Sequence, residues 1–222
     1  MLKAKLASTI ALFFSIFSYA QTAEEIILNN LNISGGEKAW NSLNSIILKG
    51  EAHLNLDYSY PIVIKHQRPY HKKVSFVIDG KEVLNEGYDG KNGWTYSEIQ
   101  KKNVIIPNYT PDAFDSDLLK YKQKGFNVKL VGKETYDKNK KCYKIELTKN
   151  INKSSYCFDE KTYQLVFEQN KDEVLYYSDY KNFNGLSFAT KIIGKPNEGG
   201  EYIIKFNSIQ INPQIEKKVF KF

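Results

Sequence analysis

The chain has 222 residues, 32 Lys and Arg against 25 Asp and Glu, and a formal net charge of +7. Hydrophobic residues make up 41% and aromatics 14%, so a packed core can form and global disorder is excluded. A mean hydropathy of −0.50 excludes a multi-span membrane protein, and two cysteines exclude a disulfide-dense scaffold or a Cys-rich zinc module.

The N-terminus reads as an address. Lys3 and Lys5 precede a mostly apolar run from Leu6 to Phe17, and Ser18-Tyr19-Ala20 places small residues at the −3 and −1 positions of a cleavage site. Residues 1–20 are therefore expected to be a cleaved signal peptide. The alternative is an uncleaved anchor, for which the uncharged run Leu6 to Ala23 has the minimum spanning length. No Cys lies near the site to accept a lipid. Residues 21–222 read as a single exported domain, soluble after cleavage, since neither a low-complexity linker nor a fixed-period repeat divides them.

Ala23 to Ile33 carries Ile26, Ile27, Leu31 and Ile33 behind Glu24 and Glu25, the pattern of a helix with acidic residues in its first turn. Gly35-Gly36 ends or kinks it, and Glu37 to Leu43 adds a turn with Trp40 facing inward. From Ser45 the period becomes 2. Ile46, Leu48, Ala52, Leu54 and Leu56 alternate with Lys49, Glu51, His53, Asn55 and Asp57, a long half-buried strand. Further strand signals are Ile62 and Ile64, then Val74 to Ile78, then Trp94 and Tyr96, then Val104 to Ile106. Asp79-Gly80 and Asp89-Gly90 mark turns.

Pro111 to Lys124 breaks the alternation and predicts a helix, with Thr110 as N-cap, Phe114, Leu118 and Tyr121 on one face, and Gly125 after its end. Strands then resume at Phe126–Val131, Cys142–Leu147, Ser154–Asp159, Gln164–Glu168, Val174–Tyr180, Ser187–Ile193 and Glu201–Ile211. The expected architecture is mainly β: a curved antiparallel half-barrel of about 10–11 strands closed by a small number of lid helices, with a cavity between lid and sheet.

Motifs for chemistry are missing. The sequence has no G-x-S-x-G, no H-E-x-x-H and no phosphate loop. His53, His66 and His71 do not follow a zinc spacing, and Asp112, Asp115 and Asp117 lack the pattern of a calcium loop. Carboxylates such as Glu51 and Asp57 on polar strand faces carry no catalytic signal. The expectation is a binding protein with no catalytic residues, no metal and no cofactor. Lys residues are not clustered densely, and together with export this argues against a nucleic-acid partner.

Cys142 and Cys157 fall on opposite arms of a predicted hairpin, both away from the face carrying Tyr143, Ile145, Leu147, Tyr156 and Phe158. A cross-strand disulfide forms if the register allows it, and a one-residue slip separates the pair. Trp40, Phe76, Trp94, Tyr96 and Phe114 are candidate cavity-wall residues. Ordinary core packing is the competing reading for each.

Lys65-His66-Gln67-Arg68-Pro69-Tyr70-His71-Lys72-Lys73 resembles the K-x-x-R-P-x-x-x-R/K stretch of periplasmic lipoprotein carriers of the LolA type. Tyr88-Asp89-Gly90-Lys91-Asn92-Gly93-Trp94-Thr95-Tyr96 resembles their D-G-x-x-x-W-x-Y turn. Gly35-Gly36-Glu37-Lys38-Ala39-Trp40 and Ser178-Asp179-Tyr180…Asn184-Gly185-Leu186 are similar to an outer-membrane lipoprotein-sorting branch, and the resemblance spans essentially the whole chain after residue 20.

It implies an incomplete β-barrel whose cavity accepts acyl chains and ferries them to the outer membrane without covalent chemistry. The implied partners are lipoprotein or lipid cargo, an inner-membrane release complex and an outer-membrane acceptor, with the carrier a periplasmic monomer. The family's lid latch falls by position on Arg68, the only Arg in the chain. Read without the family, Arg68 is either such a latch or an exposed residue before a proline. An exported sensor of lipid or protein on the same fold is the alternative function.

Overall fold

The computed structural model describes residues 21–54, 58–111, 114 and 116–222. The expected signal peptide, Asn55, Leu56 and Asp57 of the first strand, and Asp112 and Asp115 lie outside the described residues.

Helix α1 (Ala23–Ile33) begins with a capping box. The Glu25 amide donates to Thr22 Oγ1 at 3.2 Å and the Thr22 amide donates to Glu25 Oε2 at 3.0 Å. Two backbone donors are thereby satisfied where the helix itself cannot satisfy them. Ala23, Ile26 and Ile27 are buried, while Ile33 faces outward at 45% exposure despite its place in the apolar pattern. Gly35, at φ 122, turns the chain into α2 (Gly36–Ser42). A side chain at Gly35 would meet the Gly185 carbonyl at 2.5 Å, so only glycine lets this corner sit on the sheet.

Among the described residues thirteen strands come next: β1 (Ser45–Leu54), β2 (Tyr58–Gln67), β3 (His71–Ile78), β4 (Lys81–Tyr88), β5 (Gly93–Ser97), β6 (Lys102–Ile106), β7 (Asn127–Asp137), β8 (Lys140–Lys149), β9 (Asn152–Asp159), β10 (Leu165–Gln169), β11 (Glu173–Phe183), β12 (Leu186–Pro196) and β13 (Tyr202–Ile211). They form one open antiparallel sheet in the order β6-β5-β4-β3-β2-β1-β13-β12-β11-β10-β9-β8-β7. Two meanders, β1–β6 and β7–β13, thus meet at a single sequence-distant seam between β1 and β13.

The strand count exceeds the expected 10–11. β4 is hard to read because Asn85 is an extra residue in its ladder: Val74 pairs with Glu86 and Ser75 with Leu84. A bulge of this kind breaks the period-2 signal.

β6 and β7 are the two edges of the sheet, so residues 107–126 connect one edge to the other. The predicted helix over Pro111–Lys124 is not what the described part of this connection forms. Residues 117–125 are a succession of turns. Lys120 adopts a left-handed φ of 56, and the amides of Leu119, Lys124, Gly125 and Phe126 reach back three, four, three and five residues respectively. The apolar spacing that suggested a helix serves instead to bury Leu118 and Leu119.

The core divides along the sheet. Ile26, Ile27 and Leu118 pack with Ile145, Leu147, Tyr156 and Phe158 of β8 and β9. Leu43, Ile46, Ala52, Ile62, Val74, Leu186, Phe206 and Ile209 form a second cluster over β1–β3 and β12–β13. Each fully buried Ile, Leu or Phe contributes about 1.5–3 kcal/mol relative to exposure.

The chain after β13 adds a short 3-10 turn, Lys217–Phe220, that covers part of β3–β5. Phe220 is buried against the His71 ring at 5.2 Å, and Phe222 lies over Gly87 and 6.3 Å from Trp94.

Candidate functional site: a cavity under the helical layer

A cavity of about 580 Å3 lies between α1, α2, Phe114 and residues 116–119 on one side and β1 and β9–β13 on the other. This is a volume typical of small-molecule sites. Leu31, Trp40, Leu48, Phe114, Phe188, Ile192 and Phe206 supply much of its apolar wall. Trp40 is fixed from two sides: its indole N–H donates to Ser34 Oγ at 3.1 Å, and its ring meets Phe188 edge-on at 5.2 Å.

Arg68 stands at the end of α2. Its Nε donates to the Leu43 carbonyl at 2.6 Å and an Nη to the Trp40 carbonyl at 3.2 Å, while the guanidinium lies 4.7 Å from the Phe114 ring centroid. The last carbonyls of a helix lack partners within the helix and attract positive charge. Arg68 therefore fastens the end of α2 to the β2–β3 turn and holds Phe114 by a cation–π contact.

Of the five aromatic residues expected on the wall, Trp40 and Phe114 line this cavity. Phe76 does not. It packs into the β1–β3 cluster with its ring 6.3 Å from Tyr60. Trp94 donates to Asp89 Oδ2 at 2.8 Å, and Asp89 Oδ1 accepts the amides of Lys91 and Asn92, both at 2.7 Å. The Asp-Gly…Trp motif is thus a self-capped turn packed beneath Phe222. Tyr96, two residues on, lines a separate depression beside Phe222, Lys73 and Glu82.

Cys142 and Cys157 are disulfide-bonded across β8 and β9, with Cα atoms 5.5 Å apart. Cys142 pairs with Asp159 and Lys144 with Cys157, so the bridge is diagonal. The bond packs with Phe167 on the side of the sheet away from α1.

The three histidines are dispersed: His66 lies 6.0 Å from Phe114, His71 lies against Phe220, and His53 lies beside Glu51 at 3.8 Å. Among the described residues, no group of three or more His, Cys, Asp or Glu is placed to hold a metal.

Sequence reading missed the polar end of the cavity. Glu168 projects there because Val166 is an extra residue in β10: Leu165 pairs with Phe158, but Phe167 with Cys157 and Glu168 with Tyr156. The bulge sends Val166 and Phe167 to the disulfide side and both Leu165 and Glu168 to the cavity. In β11, Asp179 has φ 56, and Tyr177 and Tyr180 both reach the cavity wall although residues three apart in a regular strand face opposite ways.

Burial raises the Glu168 pKa. Tyr177 opposes this by hydrogen bonding to the carboxylate, while Asp117 and Glu173 add to it by like charge. Burial likewise raises the hydroxyl pKa values of Tyr156, Tyr177 and Tyr180. Glu168 therefore binds its proton more tightly in the folded chain than in the unfolded one. Its favourable contribution is complete below the unfolded value, about 4.3, and is lost as pH rises through the higher folded value. Glu168→Gln should accordingly gain thermal stability relative to the wild type between pH 4.5 and pH 8. Melting curves at the two pH values check this, and an unchanged gap would show that Glu168 is well solvated.

Neither a protein-family model nor a curated protein sequence matches the chain. Solved structures do. A LolA superfamily protein from Nitrosomonas europaea superposes with a TM-score of 0.58 at 13% identity, over 91% of this chain and 99% of that one. The fold is LolA-like. An outer membrane lipoprotein-sorting protein domain from Vibrio parahaemolyticus gives the same TM-score and identity over 89% and 95% of the two chains. A DUF1329 family protein from Desulfovibrio piger gives 0.58 at 12% identity over 86% and 95%. The LolA-like fold is here a 13-stranded open sheet with α1 and α2 packed against it. Among the described residues, no helix is long and apolar enough to cross a membrane.

Proposed function

We propose that the chain is an exported carrier that binds the acyl chains of a lipoprotein, or a similar amphiphile, in the 580 Å3 cavity and releases them without covalent chemistry. The observation that carries this reading is the cavity itself, apolar along Trp40, Leu48, Phe114, Phe188, Ile192 and Phe206 and roofed by elements that Arg68 fastens. Each acyl CH2 transferred into such a wall contributes about 0.8 kcal/mol, so a partly inserted chain is enough for stable capture. The LolA-like fold and the lipoprotein-sorting domain among its structural neighbours support the assignment.

In this reading residues 1–20 direct export to the periplasm and are removed. Residues 21–222 act as one monomeric binding domain. Cargo arrives from an inner-membrane release complex and leaves to an outer-membrane acceptor. Arg68 is the latch: its bonds to the Trp40 and Leu43 carbonyls break when α2 lifts, and the cavity opens.

Native mass spectrometry of the protein purified from the periplasm without detergent tests the reading. A bound mass matching an acylated peptide or lipid supports it. A clean apo mass with no uptake of an added fatty-acyl probe removes it and favours a sensor or interaction module. Arg68→Leu should remove the Leu43 carbonyl's side-chain donor, leave the Trp40 carbonyl only the Leu43 amide at 3.3 Å, and cost about 1–3 kcal/mol. The variant should fold with an unchanged circular dichroism spectrum and release a bound acyl probe faster than the wild type. Release at the wild-type rate would show that Arg68 is not the latch.

A further inference from the structure

The cavity is chemically two-ended. Its apolar wall comes mostly from α2, β1, β12 and β13, with Leu31 of α1, Leu165 of β10, and Phe114, Leu118 and Leu119 of the connecting segment. Its polar groups, Ser154, Tyr156, Glu168, Gln169, Tyr177 and Tyr180, come from β9, β10 and β11, with Asp117 facing them from the connecting segment. Among the described residues that line it, none is Lys or Arg, in a chain that carries 32 of them and a net charge of +7. The charged groups acting on Glu168, Asp117 and Glu173, are both carboxylates. Arg68 stands beside Phe114 with donors committed to two helix carbonyls, at the apolar end. The Val166 bulge and the turned backbone at Asp179 are local departures from strand geometry: the first brings Glu168 to the cavity where a regular β10 would present Phe167, and the second lets Tyr177 and Tyr180 line it together.

We infer that this polar end is a head-group subsite that receives an N–H-donating head, an ammonium best of all, and rejects anionic heads. The inference rests on the proposed acyl-binding role and names the class of amphiphile it selects. A carboxylate accepts hydrogen bonds and has no donor when ionised, so Glu168 complements an amide or ammonium N–H. A fatty acid or a phosphate monoester brought to the same place sets like charges together in a half-buried site, where charge interactions are stronger than in bulk water. Tyr177 lines the cavity with Glu168 and favours its ionised form. The acyl chain then runs from Glu168 toward Trp40 and Phe114.

The test uses three ligands with the same twelve-carbon chain and different heads. The purified protein is loaded at pH 7.5 with the neutral fluorophore N-phenyl-1-naphthylamine, and dodecylamine, 1-dodecanol and dodecanoate compete for it. The expected order is amine, then alcohol, then carboxylate, with amine and carboxylate at least tenfold apart. In Glu168→Gln the amine-to-carboxylate ratio should fall by at least fivefold. If the alcohol competes but the amine has no advantage over the carboxylate, the head-group subsite is overturned and the acyl cavity stands. If the fluorophore does not bind and none of the three ligands is taken up, the acyl-binding role falls and this inference falls with it.

Discussion

Gly50→Ala should destabilise the protein by about 3 kcal/mol or more, among the largest losses from any single methyl group added to this chain. Gly50 lies in β1 opposite β13, where the two meanders join. The ladder there holds an extra residue on β13: Lys49 pairs with Ser208, but Gly50 with Phe206. The bulge at Asn207 presses the β13 backbone over Gly50, and a Cβ at that position would lie 2.0 Å from the Lys205 carbonyl oxygen and 2.8 Å from Phe206 Cα. The obstacle is backbone held in a sheet, so no side-chain rotation relieves it.

At a tolerant site the same substitution raises stability by about 0.4–1 kcal/mol through the unfolded state, so even the sign of the effect is diagnostic. Among the described residues β1–β13 is the only strand pairing between the two meanders. The damage should therefore reach both, and amide exchange should accelerate in β1, β2, β12 and β13 together. Urea denaturation of Gly50→Ala checks the magnitude. A midpoint at or above the wild-type value would mean that β13 does not approach β1 as described.

The sequence made some elements plain and hid others, for identifiable reasons. Helix α1 was legible from Glu24, Glu25 and the Ile26, Ile27, Leu31 spacing, and its Thr22 capping box confirms the start. The long strands were legible because one face of each packs on a core while the other faces away, which enforces alternation. β4 was not, because the Asn85 bulge shifts its phase. The segment after Pro111 looked helical because Phe114, Leu118 and Tyr121 are spaced like a helix face, with Leu119 beside it. Burial of Leu118 and Leu119 explains that spacing equally well in a chain of turns, and periodicity cannot separate the two.

The cavity shows the same division. Trp40 and Phe114 were readable as wall residues, whereas Trp94 and Tyr96 were drawn to the other side by Phe222, a contact between residues more than a hundred positions apart. Glu168 was invisible as a site residue. In a regular strand with Leu165 facing the cavity it would point the other way, and only the extra residue Val166 turns it in. Bulges at Asn85, Val166 and Asn207 thus account for a missed strand, a missed site residue and an obligatory glycine. Each inserts one residue into a period-2 pattern, and a one-residue shift moves every later side chain of the strand to the opposite face.

Removing the disulfide should cost about 3 kcal/mol, and the loss should be felt first beneath α1. Cys142 and Cys157 are 15 residues apart, and in the chain-entropy account closing a loop of that length restricts the unfolded chain by about 3 kcal/mol at 25 °C. The bridge ties β8 to β9 on one side of the sheet. On the opposite side Ile145, Leu147, Tyr156 and Phe158 of the same two strands receive Ile26 and Ile27, and Tyr156 lines the cavity next to Glu168.

The double variant Cys142→Ala/Cys157→Ala avoids burying new hydroxyls beside Phe167, so its loss reports the cross-link and the small volume of the two sulfurs. Its unfolding free energy should match that of the wild type measured in reductant to within about 1 kcal/mol. The β8–β9 hairpin and α1 should exchange amide protons faster than β1–β3, which the bridge does not touch. Equal stability of the oxidised wild type and the double variant would show that β8, β9 and α1 hold their geometry without the covalent tie. In that case the firmness of the cavity floor would have to come from the packing of Ile26 and Ile27 alone.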